Sequence, residues 1–147
     1  FPFFADAANL DAITPPWLHF RILTPLPIEM KQGTKIHYQI RLHGIPISWR
    51  TNIASWNPSH SFVDQQISGP YQKWHHTHTF EEKDGGTLCK DRVIYKHLGG
   101  MLVHKYFVRP HIERIFAYRR ERMLELFTAA PTKIDVNLSN ALVVAHA

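Results

Sequence analysis

Between residues 35 and 96 apolar side chains fall at every second position, and beyond Gly99-Gly100 they fall at every third or fourth. The first spacing belongs to strands with one buried face, the second to a helix with one buried stripe. A single sheet must cover its apolar face with something, and the helix is the only element long enough to do so. The chain is therefore expected to be α+β: consecutive antiparallel strands followed by one long C-terminal helix. A strongly curved sheet gripping that helix leaves room for a cavity between them.

The alternation can be followed strand by strand. Ile36, Tyr38, Ile40 and Leu42 alternate with Lys35, His37, Gln39 and Arg41, and Gly44-Ile45-Pro46 turns the chain. Ile47, Trp49, Thr51 and Ile53 begin the next strand, which Asn57-Pro58-Ser59 ends. Ser61 to Ile67 forms another, and Ser68-Gly69-Pro70 turns it into a run in which Trp74, His76, His78 and Phe80 share one face. Asp84-Gly85-Gly86 is a hairpin signal before a last strand from Thr87 to Lys96. Short turns at this spacing describe an antiparallel meander.

Ile112, Ile115, Phe116, Met123, Leu124 and Phe127 form the apolar stripe of the helix. Pro110 either starts it or kinks a longer one, and Ala129-Ala130-Pro131 stops it. At the other end, residues 1–14 read as short helical turns capped by Asp6 or Asn9, with Leu10 and Ile13 on the buried side, and Pro15-Pro16 closes them. Trp17 to Leu23 reads as strand or extended chain. No internal repeat or Gly-rich phosphate loop is visible.

Composition removes whole classes of function. At 147 residues the chain suits one domain with a substantial core. One cysteine, Cys89, excludes an internal disulfide and every multi-cysteine zinc or iron–sulfur site. Apolar runs such as Ala141 to Ala145 are too short for a transmembrane helix. The net charge of +5 is a matter of solubility and steering. Arg109, Arg114, Arg119, Arg120 and Arg122 are interleaved with Glu113, Glu121 and Glu125, as on a solvated helix rather than a nucleic-acid surface. No charged region precedes apolar residues at the start, so the expected location is cytoplasmic.

Particular residues point further. Phe62-Val63-Asp64-Gln65-Gln66, Gly69-Pro70-Tyr71, the run Trp74 to Phe80, Gly86-Thr87, Asp91-Arg92-Val93 and Tyr95 together resemble a bacterial subfamily of the START-like (SRPBCC, polyketide-cyclase-like) superfamily. Phe4-Ala5-Asp6, Asn9-Leu10, Thr14 to Leu18, Gly44-Ile45-Pro46 and Phe116-Ala117-Tyr118-Arg119 fit the same pattern, so the resemblance covers residues 1–128. It implies a helix-grip fold enclosing an apolar pocket, a ligand-binding role, and no cofactor or metal. Relative to that pattern, a first strand and most of a first helix precede Phe1, and residues 129–147 form a tail outside it. Two expectations follow: Ile134 to Val144 pairs with the sheet edge left open, or a second molecule completes that edge in a homodimer.

Chemistry concentrates on one strand. The Asp84-Gly85 hairpin sets His76 approximately opposite Asp91, and the Gly69-Pro70 hairpin sets Asp64 approximately opposite the same histidine. Three readings of this wall stand side by side. The four residues could satisfy one another and fix register. They could be the polar anchor of an apolar pocket. Or His76 or His78 could act as a base oriented by Asp64 or Asp91, in a cyclase or dehydratase. A His-x-His strand with a carboxylate is also a metal pattern, although no further ligand lies at diagnostic spacing. Tyr38, Trp49, Trp74, Tyr95, Phe116 and Met123 are candidates to line the pocket or simply to fill the core. Arg119 and Tyr118 either cap one end of the pocket or face solvent. Cys89 has no activating base nearby in sequence and reads as an inert buried thiol. The favoured function is binding of a small, largely apolar ligand (lipid, polyketide or aromatic in type) through Tyr38, Trp49, Asp64, Trp74, His76, His78, Asp91, Tyr95 and Phe116.

Overall fold

The computed structural model describes residues 1–128. Six strands form one sheet in the order β1-β2-β3-β4-β5-β6, every neighbouring pair antiparallel: β1 (Arg21–Ile22), β2 (Lys35–Leu42), β3 (Ile45–Asn57), β4 (Ser61–Ser68), β5 (Lys73–Lys83) and β6 (Gly86–Lys96). The meander is as the alternation requires, and the sheet is curved and open. β3 contributes to that curvature through two irregularities in its pairing with β4, between Arg50 and Thr51 and between Ile53 and Ser55. An extra residue on one strand bends it and increases its twist.

The helix is longer than its apolar stripe. α1 (Gly100–Val103) continues through a π-helical segment (His104–Val108) into α2 (Arg109–Thr128), so Pro110 lies inside a longer helix and does not start it. Proline cannot donate to the carbonyl four residues back, and its ring crowds that carbonyl. The wider π turn lies immediately before it. Gly99 opens the helix at φ +107, and a Cβ there would meet Val103 side-chain carbons at 2.8–2.9 Å. Both facts demand glycine.

The N-terminal segment differs in part from its reading. A 3-10 helix spans Ala7–Ile13, and Asp6 caps it by accepting from the Ala8 amide at 2.9 Å. A second 3-10 turn takes Pro16–Leu18, leaving only Arg21–Ile22 of the expected 17–23 extended segment as strand. Proline at the first position of that turn favours the helical start. The 134–144 pairing lies outside the described residues. Among those residues no helix is long and apolar enough to cross a membrane.

The core is divided. Ile13, Phe62, Phe80, Cys89 and Met123 pack together at one end, with Phe1, Phe3 and Phe4 against them. Leu18, Ile40 and Trp49 form a second cluster, and Val93, Tyr95, Ile112 and Phe116 join the sheet to the start of α2. Between these clusters lie two buried histidines and a cavity of about 190 Å³.

Candidate functional site

His76 and His78 are two residues apart on β5, so the strand's period aims both imidazoles at the same face. Their side chains are 5% and 3% exposed. Strand pairing brings a carboxylate from each side: Asp64 of β4 stands opposite His76, as the turn spacing predicts. On the other side the residue opposite His76 is Val93, and Asp91 stands opposite His78. The two-residue turn at Asp84-Gly85 pairs Lys83 with Gly86, and counting back from that pair fixes this register. The expected His76–Asp91 pairing is thus displaced by two residues, which leaves both on the same face and still within reach.

The four side chains close into a ring in which histidines and aspartates alternate. His76 donates from Nε2 to Asp91 Oδ1 at 2.9 Å, and His78 donates from Nε2 to Asp64 Oδ2 at 3.0 Å. Two crossed contacts complete the ring: His76 Nδ1 to Asp64 Oδ2 at 3.3 Å, and His78 Nδ1 to Asp91 Oδ1 at 2.7 Å. These are ion-pair contacts, and His78 Nδ1 has no aligned hydrogen-bond partner among the described residues. The two rings lie 3.8 Å apart, Phe62 stacks on His78 at 4.0 Å, and Phe116 meets the His76 ring edge-on at 5.5 Å.

Charge follows from these contacts. Burial opposes a charge on His76, but the Asp64 carboxylate and the hydrogen bonds to both aspartates overcome it and raise the pKa to about 9. Burial likewise opposes charge on Asp64 and Asp91. The His76 cation holds Asp64 below the usual carboxylate range, and the Arg119 guanidinium, with His78, holds Asp91 well below it. At neutral pH His76 is therefore an imidazolium between carboxylates.

The cavity lies between the sheet's inner face, the first 3-10 helix and α2. Tyr38 and Trp49 line it from β2 and β3, Asp64 from β4, Trp74, His76 and His78 from β5, and Phe116 from α2. Asp91 and Tyr95 are not on its wall. Asp91 lies beyond the histidines against Arg119, at 4.0 Å from its Nε. Tyr95 is 1% exposed and shares a hydrogen bond of 2.9 Å with His104 Nε2 under the π segment. Met123 packs in the core with Cys89 and Phe80. Burial, with Asp91 adding to it, pushes the Cys89 thiol up to about 12.

Among the lining residues that the sequence reading missed, three aromatic ones group around His78, Phe4 and Phe62 against its ring and Phe3 against Phe4. Phe3 and Phe4 close one side of the cavity, and only the path of the N-terminal segment brings them there. Phe62 was visible as a strand residue, but not as the plate beneath His78. For Arg119, the alternative of capping the pocket is the one adopted. It lines the cavity with its side chain 13% exposed and its guanidinium 5.8 Å from the Phe4 ring, whereas Tyr118 packs on Trp17. Arg119 Nε and Trp49 Nε1 are buried donors on the lining without a hydrogen-bond partner among the described residues.

Comparison with known proteins agrees with this architecture. A family model described as polyketide cyclase / dehydrase and lipid transport matches residues 1–124. The fold is similar to the crystal structure of protein Ms6760 from Mycobacterium smegmatis, with a TM-score of 0.61 at 20% sequence identity, covering 87% of this chain and 81% of that one. No curated protein matches the sequence.

Proposed function

The chain belongs to the polyketide cyclase / dehydrase and lipid transport family, and from that premise we propose that it binds a small, largely apolar ligand carrying one acceptor oxygen. The observation that carries the reading is an apolar cavity lined by two residues, Arg119 and Trp49, each with a buried donor nitrogen (Nε and Nε1) that lacks a hydrogen-bond partner among the described residues. Buried donors are almost always satisfied, so an unpaired one on a cavity wall is a place for a ligand atom. Size sets the class. An engineered cavity of about 150 Å³ takes benzene, so about 190 Å³ suits one aromatic ring with a short substituent, or a short acyl chain.

The charge state bears on the cyclase or dehydratase reading. A base must be unprotonated at working pH. His76, held as an imidazolium by two carboxylates, is suited to orienting an acceptor or donating a proton, not to removing one. This favours an anchor over a catalytic base.

Two measurements test the proposal. Freshly purified protein weighed natively and after denaturation should show a bound mass that denaturation removes. Titration with 4-ethylbenzoate, followed by amide chemical shifts, should saturate and move signals of cavity-lining residues. Ile40→Trp, which fills the cavity from β2, should abolish that response while the protein stays folded. No bound mass together with no saturable shift would overturn the reading.

A further inference from the structure

The ring of two histidines and two aspartates is not symmetrical about its centre, and that asymmetry has a chemical meaning. One ring nitrogen of each histidine faces Asp64: His76 Nδ1 at 3.3 Å and His78 Nε2 at 3.0 Å from the same oxygen, Oδ2. The opposite nitrogen of each histidine faces Asp91, again through a single oxygen, Oδ1, at 2.9 and 2.7 Å. The three donor atoms on the Asp64 side all lie within 4.8 Å of one another. Ligands bound tetrahedrally at metal distances of about 2.1 Å stand about 3.4 Å apart, so an ion that displaces to solvent the protons His76 Nδ1 and His78 Nε2 hold toward Asp64 needs only small side-chain adjustments to be enclosed.

We propose that Asp64, His76 and His78 form a binding site for a divalent first-row transition ion of the zinc or iron(II) class, with Asp91 as the outer carboxylate that receives the remaining ring N–H of both histidines. Two imidazoles and one carboxylate are a donor set these ions favour. Histidine ligands usually give their second N–H to a carboxylate or carbonyl, which fixes ring orientation and raises basicity. Here a single carboxylate oxygen is aligned to accept from His76 Nε2 and lies 2.7 Å from His78 Nδ1, which a small ring rotation would align with it. The Asp91 side is the wrong place for the ion, because Arg119 stands 4.0 Å from Asp91 and its positive charge opposes a second cation there. The Asp64 side faces the cavity, since Asp64, His76 and His78 all line it and Asp91 does not. An ion held there would keep at least one coordination position open toward the cavity, whereas a closed structural site would have a fourth protein ligand. The proposal does not depend on the organic ligand: the cavity can fill without an ion, and the ion can bind with the cavity empty.

Cobalt(II) is the probe, because its visible absorption reports nitrogen and oxygen coordination directly. Chelator-treated protein titrated with cobalt(II) should develop visible bands that saturate at one equivalent and disappear when zinc(II) is added. His78→Asn should lose the bands. Asp91→Asn, which keeps all three ligands, should weaken binding by about 10- to 100-fold. His43→Ala removes one member of the His43–His111 pair, whose rings are 5.3 Å apart and do not line the cavity, and should change nothing. Circular dichroism of each metal-free variant confirms that it is folded, and Asp91→Asn decides the matter if His78→Asn is not. Absence of saturable bands, bands that survive in His78→Asn, undiminished binding by Asp91→Asn, or bands lost in His43→Ala would each overturn the proposal.

Discussion

The His76 imidazolium ties the stability of this fold to pH in a direction opposite to that of most buried histidines. In the unfolded chain the ring loses its proton near 6.5, and in the folded protein near 9. The folded state therefore holds the proton more tightly. Stability from this source is complete below pH 6.5 and drains away as pH rises through 9. A displacement from 6.5 to about 9 corresponds to about 3 kcal/mol, a large share of the 5–15 kcal/mol typical of a domain. The two carboxylates describe the same attraction from the acid side. Their pKa values are held below 3.8, so their contribution is present above that value and lost as pH falls through the lowered ones. The two flanks report one interaction and are not summed. Urea unfolding of chelator-treated protein, followed by far-ultraviolet circular dichroism from pH 6 to pH 10, measures the alkaline flank. With a urea slope of about 1–3 kcal/mol/M, the midpoint should fall by about 1–3 M. In His76→Gln this fall should be absent, which separates His76 from every other group titrating in the range. A midpoint that is flat in the parent protein, or that falls equally in His76→Gln, would refute the assignment of an imidazolium at this position.

Other consequences are simpler to read. Replacing Arg119 with methionine removes the guanidinium that lines the cavity and should weaken 4-ethylbenzoate by at least about tenfold, from a charged hydrogen bond worth about 1.5–3 kcal/mol; ethylbenzene, titrated in parallel, should be unaffected. Ile112, 1% exposed beneath the start of α2, should cost about 2–5 kcal/mol on mutation to alanine, read from urea midpoints. Cys89, 5% exposed with its thiol pushed up to about 12, should resist Ellman's reagent in the native state and react within the dead time once unfolded. Gly85 sits at φ +75 with open space where a Cβ would be, so Gly85→Ala should cost only the conformational penalty, about 1–2 kcal/mol, measured by thermal unfolding.

The strands and their partners were legible because each turn announces itself in sequence and each strand keeps a strict period of two. Even the displaced His76–Asp91 pairing preserved the essential point, since a shift of two residues does not change which face a side chain occupies. Site membership was less legible. Asp91 has the right parity for the inner face, yet it is screened from the cavity by the histidines and Arg119. Tyr95 has the same parity, but the helix crosses the sheet there and buries it under the π segment. Arg119 sits among alternating charges that suggest a solvated surface, and nothing local reveals that its turn of α2 faces Asp91. Phe3 and Phe4 reach the cavity only because the chain before Asp6 folds back over the sheet. Periodicity sorts residues by face; it does not say where along that face another element will sit.

The closed ring of His76, Asp64, His78 and Asp91 also governs how this site can change over time. Each member touches both its neighbours, so a single replacement leaves buried polar atoms unmatched. Losing either aspartate takes one carboxylate from the buried His76 imidazolium, and losing His76 takes from both carboxylates the cation between them. Such uncompensated burial costs several kcal/mol, whereas exchanging an oppositely charged pair for apolar residues of similar volume can be nearly neutral. Drift at these four positions therefore proceeds by paired replacements or not at all. A descendant of this chain that abandoned the site would lose a histidine and an aspartate together, through an intermediate less stable than either end state.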